Sequence, residues 1–343
     1  MRPQAGERKT VRHKPWSAEA VLDKPRHQLT DSALFSHSVV SPLRYPGAKR
    51  QLFNALETII DANVPPPRLL VEPFCGGATS GLRLAGTGVV EHVILADADP
   101  LLAAFWHVAA FDTSWLIQAM KDEEVTVARW DWWRLASPAR CRDRALKCLF
   151  LNRTTFSGIL HGRAGPIGGR AQVSAYKIDC RYGVAGLERR IRAIGDLADT
   201  GRLLDVWNCD WRESLRKAAR FGGLTQDEVA VYLDPPYVEK SPELYEWSFD
   251  SREHEALAIA LQESDGFRWL LSYDDSPVIR SLYADRSGFA LRTVDYRYTA
   301  AGSRTRTSKS ELLVSNYPDV PLDLRRPGNF DGKPRATTEE SAR

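Results

Sequence analysis

The tetrapeptide Asp234-Pro235-Pro236-Tyr237 combines groups that could hold a flat ring carrying an amino group. It follows an apolar run, 229–233, which is typical of a buried strand. Two consecutive prolines fix φ and stiffen the turn, so the Asp234 carboxylate and the Pro235 carbonyl can face one small donor. Two adjacent acceptors suit an NH2 group, and Tyr237 offers an aromatic face. A proline-rich turn with a buried aromatic would have the same sequence.

A second candidate is the glycine-bearing segment 71–81, in which an apolar run leads into a turn and a predicted helix. Glycines let a backbone approach a ligand closely, and a helix N-terminus offers free N–H groups. Another apolar run, 93–96, ends at Asp97, whose carboxylate could accept hydrogen bonds from ribose hydroxyls. The segment lacks GxGxxG and GxxxxGK, which favours a nucleoside-type ligand such as S-adenosylmethionine over a dinucleotide. An ordinary strand-to-helix turn is the alternative.

A third segment, Arg44 to Lys49, places an aromatic residue, a glycine and a lysine just before a predicted helix. These side chains could close over a ligand from the side. A turn that caps the helix would have the same composition, so this segment gains weight only in combination with the other two.

Positive charge is concentrated in the middle of the chain. Thirteen Lys and Arg residues and three acids lie between Arg134 and Arg192, although the whole chain has a net charge of only +3. The segment therefore has ten excess positive charges, as binding to a phosphate backbone requires. A solvated basic surface is the alternative. From Phe156 to Arg170, six glycine and proline residues predict extended loops or hairpins at the surface.

Short apolar runs and segments with helical spacing alternate through the rest of the chain. Five runs are typical of buried strands: 69–71, 93–96, 229–233, 269–273 and 312–314. Three segments have helical spacing: 51–60, 101–108 and 254–261. Apolar strands separated by helices predict an open α/β sheet covered on both faces.

The cysteines and the apolar pattern exclude several protein classes. The five cysteines are an odd number and contain no CxxC pair, which indicates a reduced, cytosolic chain without a disulfide framework or a structural zinc. No apolar run approaches the ~20 residues that a membrane span needs. The first fifteen residues contain no apolar segment typical of a secretory signal. We therefore predict a cytoplasmic protein with no metal site and no membrane association.

Taken together, these motifs resemble the DNA adenine methylase (Dam-type) family of adenine-specific DNA methyltransferases. The motifs also follow the order of the alpha class of that family, from RYPGAK through EPFCGG and ADAD to an inserted region and DPPY, across about 42–317. The resemblance implies a Rossmann-like S-adenosylmethionine-dependent methyltransferase fold, with a mixed, mostly parallel sheet. It also implies an inserted target-recognition domain that is largely helical with a hairpin.

Composition, periodicity and the order of the motifs divide the chain into five predicted parts. A poorly ordered extension covers 1–40, the cofactor-binding part of the catalytic domain covers 41–106, and the target-recognition insert covers 107–200. The second catalytic part, which carries DPPY, covers 201–318, and a disordered tail covers 319–343.

The resemblance also assigns roles to matching residues. Asp234, Pro235, Pro236 and Tyr237 match the catalytic tetrapeptide. The matches to the cofactor site are Tyr45, Lys49, Phe74, Cys75, Gly76, Asp97, Asp210 and Asp234. Ser157, Ile159 and His161 match positions near bases, and Arg304 and Arg306 match a late basic loop near DNA. Arg153, Arg163, Arg170, Lys177 and Arg181 are phosphate-binding candidates from their charge alone.

The predicted function is methyl transfer from S-adenosyl-L-methionine to the exocyclic amine of adenine in double-stranded DNA, with base flipping. The expected setting is a monomer in a restriction-modification system with an endonuclease counterpart, a solitary regulator or a phage enzyme. The stretch 172–176 stands where the best-known members have Phe-Asn-x-Pro, so a GATC target does not follow.

Four alternatives were weighed against this prediction. Methylation of the cytosine amine uses the same mechanism, but those enzymes more often have Ser before the two prolines. Cytosine carbon-5 methylation needs a Pro-Cys motif, which the sequence lacks, since Cys75 follows Phe74. The basic segment favours nucleic acid over a protein amide. An intact Asp234 and an intact cofactor loop argue against a DNA-binding relic without activity.

Overall fold

The computed structural model describes residues 39–44, 52–237, 249–284, 286–298 and 307–324. Within these residues, seven strands form one sheet. In chain order they are β1 (Leu69–Glu72), β2 (His92–Asp97), β3 (Leu203–Asn208), β4 (Val229–Leu233), β5 (Arg268–Asp274), β6 (Ala290–Tyr298) and β7 (Thr307–Ser315). The order across the sheet is β3-β2-β1-β4-β5-β7-β6. Strands β1 to β5 pair in parallel, whereas β7 is antiparallel to both of its neighbours.

The predicted mostly parallel α/β sheet is therefore confirmed. Each of the five predicted strand runs lies inside an observed strand. Their continuous apolar character follows from burial, because strands β1, β2, β4 and β5 have side chains in the apolar cores on both faces of the sheet.

Helices cover both faces of this sheet. The helices of the described residues are α1 (Phe53–Ala62), α2 (Thr79–Thr87), α3 (Pro100–Phe111), α4 (Thr113–Asp122), α5 (Val127–Leu135), α6 (Cys141–Thr154), α7 (Val184–Asp199), α8 (Trp211–Ala219), α9 (Ser251–Gln262) and α10 (Pro277–Tyr283). The buried residues of α1 to α7 share one core with the first sheet face, and those of α8 to α10 share a second core with the other face.

The segment predicted as an insert is mainly helical, as the resemblance implied. Between β2 and β3 the chain forms α3 to α7 and a long loop before α7. Helix α3 is apolar on all sides and packs against β3, α6 and α7, as expected for a helix enclosed by its neighbours. A bridge between Thr155 and Pro166 closes part of the loop into a hairpin. The insert therefore shares its core with the first sheet face.

The strand order determines where a ligand can bind. From β1 the chain moves outward to β2 and β3, and it then returns to β4 beside β1 and moves outward the other way to β5. Open α/β sheets bind ligands at the carboxyl ends of the strands where this reversal occurs. In this sheet those ends are Glu72 and the residue after Leu233.

The ends of the described chain pack against this body. Val39, from the predicted extension, and Val320 and Leu324, from the predicted tail, are buried in the first core. The Arg292 guanidinium donates to the backbone oxygens of Val320 at 2.6 Å and Pro321 at 3.2 Å. The residues 1–38 and 325–343 lie outside the described part.

Candidate active site

Three carboxylates lie at the carboxyl ends of three adjacent parallel strands. Glu72 ends β1, Asp97 ends β2 and Asp234 follows β4. Each stands two residues after a core residue of the first sheet face, so the alternation of a strand directs all three side chains to that face. The sheet therefore brings three carboxyl groups together at the edge where open α/β sheets bind ligands.

Asp97 organises the glycine loop that follows β1. Its Oδ2 accepts a hydrogen bond from the Gly76 N–H at 2.9 Å and lies 3.8 Å from the Cys75 Sγ, while its Oδ1 accepts from the Asp99 N–H at 2.9 Å. Burial, and next the charge of Asp99, raise the pKa of Asp97 to about 7, although the hydrogen bonds oppose this shift. This carboxylate therefore titrates near neutral pH.

The glycine loop is held in place from several sides. The Cys75 N–H donates to the Ala96 carbonyl at 3.0 Å, and the Trp106 indole donates to the Gly76 carbonyl at 2.9 Å. Phe74 packs edge-on against Phe249, with 5.7 Å between ring centroids. The predicted cofactor residues Phe74, Cys75 and Gly76 are thus brought together beside Asp97.

Glu72 joins β1 to the helix that follows the loop. Its Oε2 accepts from the Gly81 N–H at 3.0 Å, inside helix α2. A Cβ at position 81 would lie 2.4 Å from that oxygen, so only glycine permits this approach. Burial first, and then the charges of Asp234 and Asp97, raise the pKa of Glu72 well above its ordinary value, against the effect of the Gly81 hydrogen bond.

The Asp234-Pro235-Pro236-Tyr237 tetrapeptide starts where β4 ends. The Ser272 hydroxyl donates to Asp234 Oδ1 at 3.1 Å, and the Tyr237 hydroxyl donates to Glu311 Oε1 at 2.6 Å. Pro235 is buried, and the other three residues of the tetrapeptide are half-buried. Contacts from β5 and β7 therefore hold both ends of the tetrapeptide.

The end of β3 completes this edge of the sheet. The Asn208 amide donates to the Asp97 carbonyl at 3.0 Å, which ties β3 to β2 beyond their ladder. Asp210 is exposed, and its Oδ1 caps helix α8 by accepting from the Glu213 N–H at 2.8 Å. Asp210 lies one strand away from Asp97, and its predicted role at the cofactor stays a prediction.

Asn152 of the insert hydrogen-bonds to the backbone of Arg44, where the RYPGAK segment begins. The fully buried Asn152 side chain accepts from the Arg44 N–H at 2.7 Å and donates to the Arg44 carbonyl at 2.7 Å and the Gly158 carbonyl at 3.0 Å. Gly158 has φ +77°, and a Cβ there would lie 2.4 Å from the Arg44 oxygen. The predicted cofactor residues Tyr45 and Lys49 follow Arg44 in the sequence and lie outside the described residues.

The predicted phosphate contact Arg153 points inward. Its guanidinium donates to the carbonyls of Arg181 at 2.7 Å and Pro42 at 3.2 Å. Burial, followed by the nearby charges of Arg44, Arg190 and Arg181, lowers the pKa of Arg153 to about 10. These contacts give Arg153 a part in holding the insert against the chain before RYPGAK.

The predicted base-contacting residues lie in the turn after α6 and in the loop that follows. Ser157 is exposed and has φ 57°, a left-handed conformation that L residues seldom adopt. Ile159 is half-buried. His161 Nε2 lies 2.7 Å from Asp99 Oδ2, an acid just beyond β2. His161 therefore links the loop after α6 directly to the end of β2.

The remaining basic candidates form the outer surface of the insert. Arg163 and Arg181 are exposed and form no salt bridge with any other described residue. Arg170 forms a bidentate pair with Asp131, and the Lys177 amine donates to the Gln172 carbonyl. Arg304 and Arg306 lie outside the described residues.

Sequence reasoning did not single out Ser272, Glu311 and the partnership of Asp99 with His161. Strand alternation was a usable signal for the first two, because Leu270 and Ser272 share a face of β5, and Glu311 and Leu313 share a face of β7. The pairing of Asp99 with His161 has no local signal, because 62 positions separate the two residues.

The described ranges contain neither a metal-binding group nor a membrane-spanning helix. No group of three or more His, Cys, Asp or Glu side chains there could hold a metal ion. None of the helices in those ranges has the length and apolar character to cross a membrane. All five cysteines are free.

Comparison with known proteins supports the predicted resemblance. Residues 45–163 match the family model of the D12 class N6 adenine-specific DNA methyltransferases, a segment that contains the glycine loop, Asp97 and His161. No curated protein matches the chain. Two solved structures of the rRNA methyltransferase aviRa from Streptomyces viridochromogenes match 88% of this chain and 97% of that chain, at 16% and 15% identity and TM-scores of 0.35 and 0.33. Over residues 45–163 the chain is therefore similar to the D12 class N6 adenine-specific DNA methyltransferases, which indicates a methyltransferase enzyme.

Proposed function

We propose that the chain transfers a methyl group from S-adenosyl-L-methionine to the exocyclic amine of adenine in double-stranded DNA. One observation carries this proposal: Asp234 and Pro235 stand at the carboxyl end of β4, beside the strand that ends in Glu72 and leads into the glycine loop. An acceptor pair for an amine and a candidate cofactor loop therefore meet at one topological switch point.

The acidic side chains at this edge of the sheet are suited to S-adenosylmethionine. This cofactor is a nucleoside with a cationic sulfur and an ammonium group, and Asp97 and Asp234 provide acidic side chains at the ends of β2 and β4. In this proposal Asp97 holds the ribose hydroxyls, the loop from Phe74 to Gly76 lies against the nucleoside, and Asp234 lies against the positive charge. When bound, S-adenosylmethionine supplies a methyl group on a positively charged sulfur, which is a good leaving group.

The chain's own part is to prepare the amine. The lone pair of the adenine amine is conjugated with the ring, which makes the nitrogen a poor nucleophile. Hydrogen bonds from its two N–H groups to the Asp234 carboxylate and the Pro235 carbonyl favour a pyramidal nitrogen with a lone pair available for attack. The contribution of the protein is thus positioning and electrostatic stabilisation.

Duplex DNA requires that the target base leave the stack, because an enzyme cannot reach the amine otherwise. Tyr237 offers an aromatic face for the extruded adenine. Its hydroxyl is hydrogen-bonded to Glu311 on β7, so the ring is attached to the sheet at its far end. A ring fixed in this way supports base flipping with little loss of side-chain freedom on binding.

The insert is the proposed DNA surface. It carries ten excess positive charges between 134 and 192, and Arg163 and Arg181 are exposed on it. Arg153 belongs to the interior of this module, because two backbone carbonyls occupy its guanidinium. We propose that the exposed cations track phosphates and that the loop 155–183 reads the target sequence.

We further propose that the protein is a cytoplasmic monomer and that it serves a restriction-modification or phage system or acts as a solitary enzyme. Sequencing of N6-methyladenine in DNA from cells that express the protein tests this context and gives the target sequence. Methylation at every copy of one short sequence would agree with a restriction-modification role. Methylation without sequence preference would contradict a site-specific enzyme.

The reaction is tested with tritium-labelled S-adenosylmethionine and DNA from a host that lacks adenine methylation. We expect label in N6-methyladenine after hydrolysis to nucleosides. Asp234→Asn should slow transfer about 10²- to 10³-fold, the loss that follows removal of one preorganised electrostatic contact. The control is Asp265→Asn, an exposed carboxylate before β5 that should leave the rate unchanged. Label in N4-methylcytosine, or an unaffected Asp234→Asn variant, would overturn the proposal.

A further inference from the structure

Two buried hydroxyl groups lead to the carboxylate of Asp234. The Tyr232 hydroxyl lies 2.9 Å from the Ser272 Oγ, and the Ser272 hydroxyl donates to Asp234 Oδ1 at 3.1 Å. Tyr232 and Ser272 are 1% and 0% exposed. Water therefore has little access to this chain of hydroxyls.

Strand register explains why the groups meet. Leu233 on β4 pairs with Leu271 on β5, so Asp234 and Ser272 are the next opposed residues. Tyr232 stands two residues before Asp234 and shares its sheet face. Tyr232, Ser272 and Asp234 thus meet on one face of the sheet, from two neighbouring strands.

The direction of the hydrogen bonds is fixed by proton counting. A hydroxyl has one proton and can accept as well as donate. The Ser272 proton goes to Asp234 Oδ1, so the Ser272 oxygen accepts from Tyr232. The Tyr232 proton is then in use. Both donors therefore point toward Asp234, which is the arrangement that an ionised carboxylate favours.

Tyr232 remains a neutral donor in this chain. Burial first, and then the charge of Asp234, raise the pKa of the Tyr232 phenol well above its ordinary value. The phenol therefore keeps its proton across the pH range in which the protein functions.

We propose that Ser272 and Tyr232 are positioning residues for the methyl-transfer reaction, because their hydroxyl groups fix the rotation of the Asp234 carboxylate through Oδ1. The inference rests on the proposed function. A hydrogen bond to an ionised acceptor is stronger than one between neutral groups, and buried chains of such bonds strengthen one another. A catalytic group must be held by supporting hydrogen bonds, because small misplacements slow the reaction steeply.

Three variants test the inference. Ser272→Ala removes the donor to Asp234, Ser272→Thr restores a hydroxyl, and Tyr232→Phe removes the donor behind it and keeps the ring. The matched control is Ser315→Ala, a hydroxyl on β7 that is 1% exposed and donates to the Trp269 carbonyl at 3.0 Å. Both serine deletions remove a buried hydroxyl from the same part of the sheet, but only one of these hydroxyls contacts Asp234.

The measurement separates the rate of transfer from binding. Single-turnover transfer from tritium-labelled S-adenosylmethionine to unmethylated DNA gives the rate constant, and equilibrium titrations give the Kd of the cofactor and of the DNA. We expect Ser272→Ala to lower the rate constant about 10- to 100-fold, as a small misplacement of a reacting group does. Tyr232→Phe should lower it by a smaller factor. Both Kd values should stay within about threefold, and Ser272→Thr should recover most of the rate.

The outcomes distinguish this inference from the proposed function. A wild-type protein without transfer to DNA would overturn the proposed function, and the inference would fall with it. Wild-type transfer that Ser272→Ala and Tyr232→Phe leave unchanged would overturn the inference alone. Equal losses in Ser272→Ala and Ser315→Ala would also overturn it, because a general packing effect would then suffice. If Ser272→Ala does not fold, Tyr232→Phe decides, and an undiminished rate in that variant refutes the inference.

Discussion

His161 Nε2 lies 2.7 Å from Asp99 Oδ2, and this contact joins the loop after α6 to the end of β2. Asp99 is only 6% exposed. Its Oδ1 caps helix α3 by accepting from the Leu101 N–H at 2.8 Å, and its N–H donates to Asp97. A single acid thus connects a helix start, the carboxylate beside the glycine loop and a residue predicted to lie near DNA bases.

Replacement of His161 should lower both stability and activity. His161→Leu would leave the buried Asp99 Oδ2 without this partner, and an unsatisfied buried acceptor costs about 1–3 kcal/mol. Denaturant unfolding measures this loss, and the Kd for S-adenosylmethionine shows whether it reaches the cofactor site. The control is His107→Leu, because His107 is an exposed histidine on helix α3, the helix that Asp99 caps. Equal effects of the two variants would contradict a specific role for the pair.

The parts of the fold that sequence predicted best are buried on both sides. The run 229–233 coincides with β4, and the runs for β1, β2 and β5 differ from the observed strands by one or two residues at most. The edge strands β3 and β6 did not stand out. Their sequences mix apolar with charged residues, such as Asp205 in β3 and Arg292 in β6, because an edge strand is only partly covered.

The candidate site likewise contains residues that the sequence could predict and contacts that it could not. Residues at strand ends, such as Asp97 and Asp234, were predictable because the carboxyl ends of parallel strands meet at one edge of a sheet. Contacts that depend on strand order and on the packing of the insert were not predictable. Ser272 meets Asp234 because β5 lies next to β4, and the inward role of Arg153 depends on how the insert docks.

Cofactor affinity should depend on pH through Asp97. Burial first and the charge of Asp99 second raise its pKa to about 7. The ionised form is the better acceptor for ribose hydroxyls, so affinity should rise as the pH increases from about 6 to about 8, across this raised value. Asp99→Asn removes the neighbouring charge and keeps a capping side chain, so the midpoint should move to lower pH. Calorimetric titrations across this range measure the midpoint, and Asp97→Asn is the control without the titrating group.

The raised pKa of Asp97 makes the stability of the fold change with pH in the opposite direction to the affinity for the cofactor. Because the pKa of Asp97 in the folded chain is about 7 and its ordinary value is 3.8, the folded state binds the proton more tightly. The contribution of Asp97 to stability is therefore greatest below its ordinary pKa and falls as the pH rises toward its folded value. Asp97→Asn should flatten this part of the stability curve. An unchanged slope of unfolding free energy against pH would contradict the raised pKa.

Removal of the Asn152 side chain should strongly destabilise the protein. Asn152→Ala leaves the Arg44 N–H and the carbonyls of Arg44 and Gly158 without this partner, and each buried group that stays unsatisfied costs about 1–3 kcal/mol. Asn63→Ala is the control, because Asn63 also donates to two backbone carbonyls but is half-buried, where water can replace it. Denaturant unfolding compares the two variants. A similar, small loss of unfolding free energy in both variants would contradict this role of Asn152.

DNA affinity should fall steeply as salt concentration rises, because cations that contact phosphates release bound counterions. Arg163→Ala and Arg181→Ala should each reduce the slope of log affinity against log salt by about one if each contacts one phosphate. Arg216→Ala, an exposed cation on helix α8 over the opposite face of the sheet, should leave the slope unchanged. Arg153→Ala should instead lower the unfolding free energy, since its guanidinium holds two backbone carbonyls. Fluorescence anisotropy at several salt concentrations measures the slopes, and a flat wild-type dependence would exclude the insert as a phosphate-binding surface.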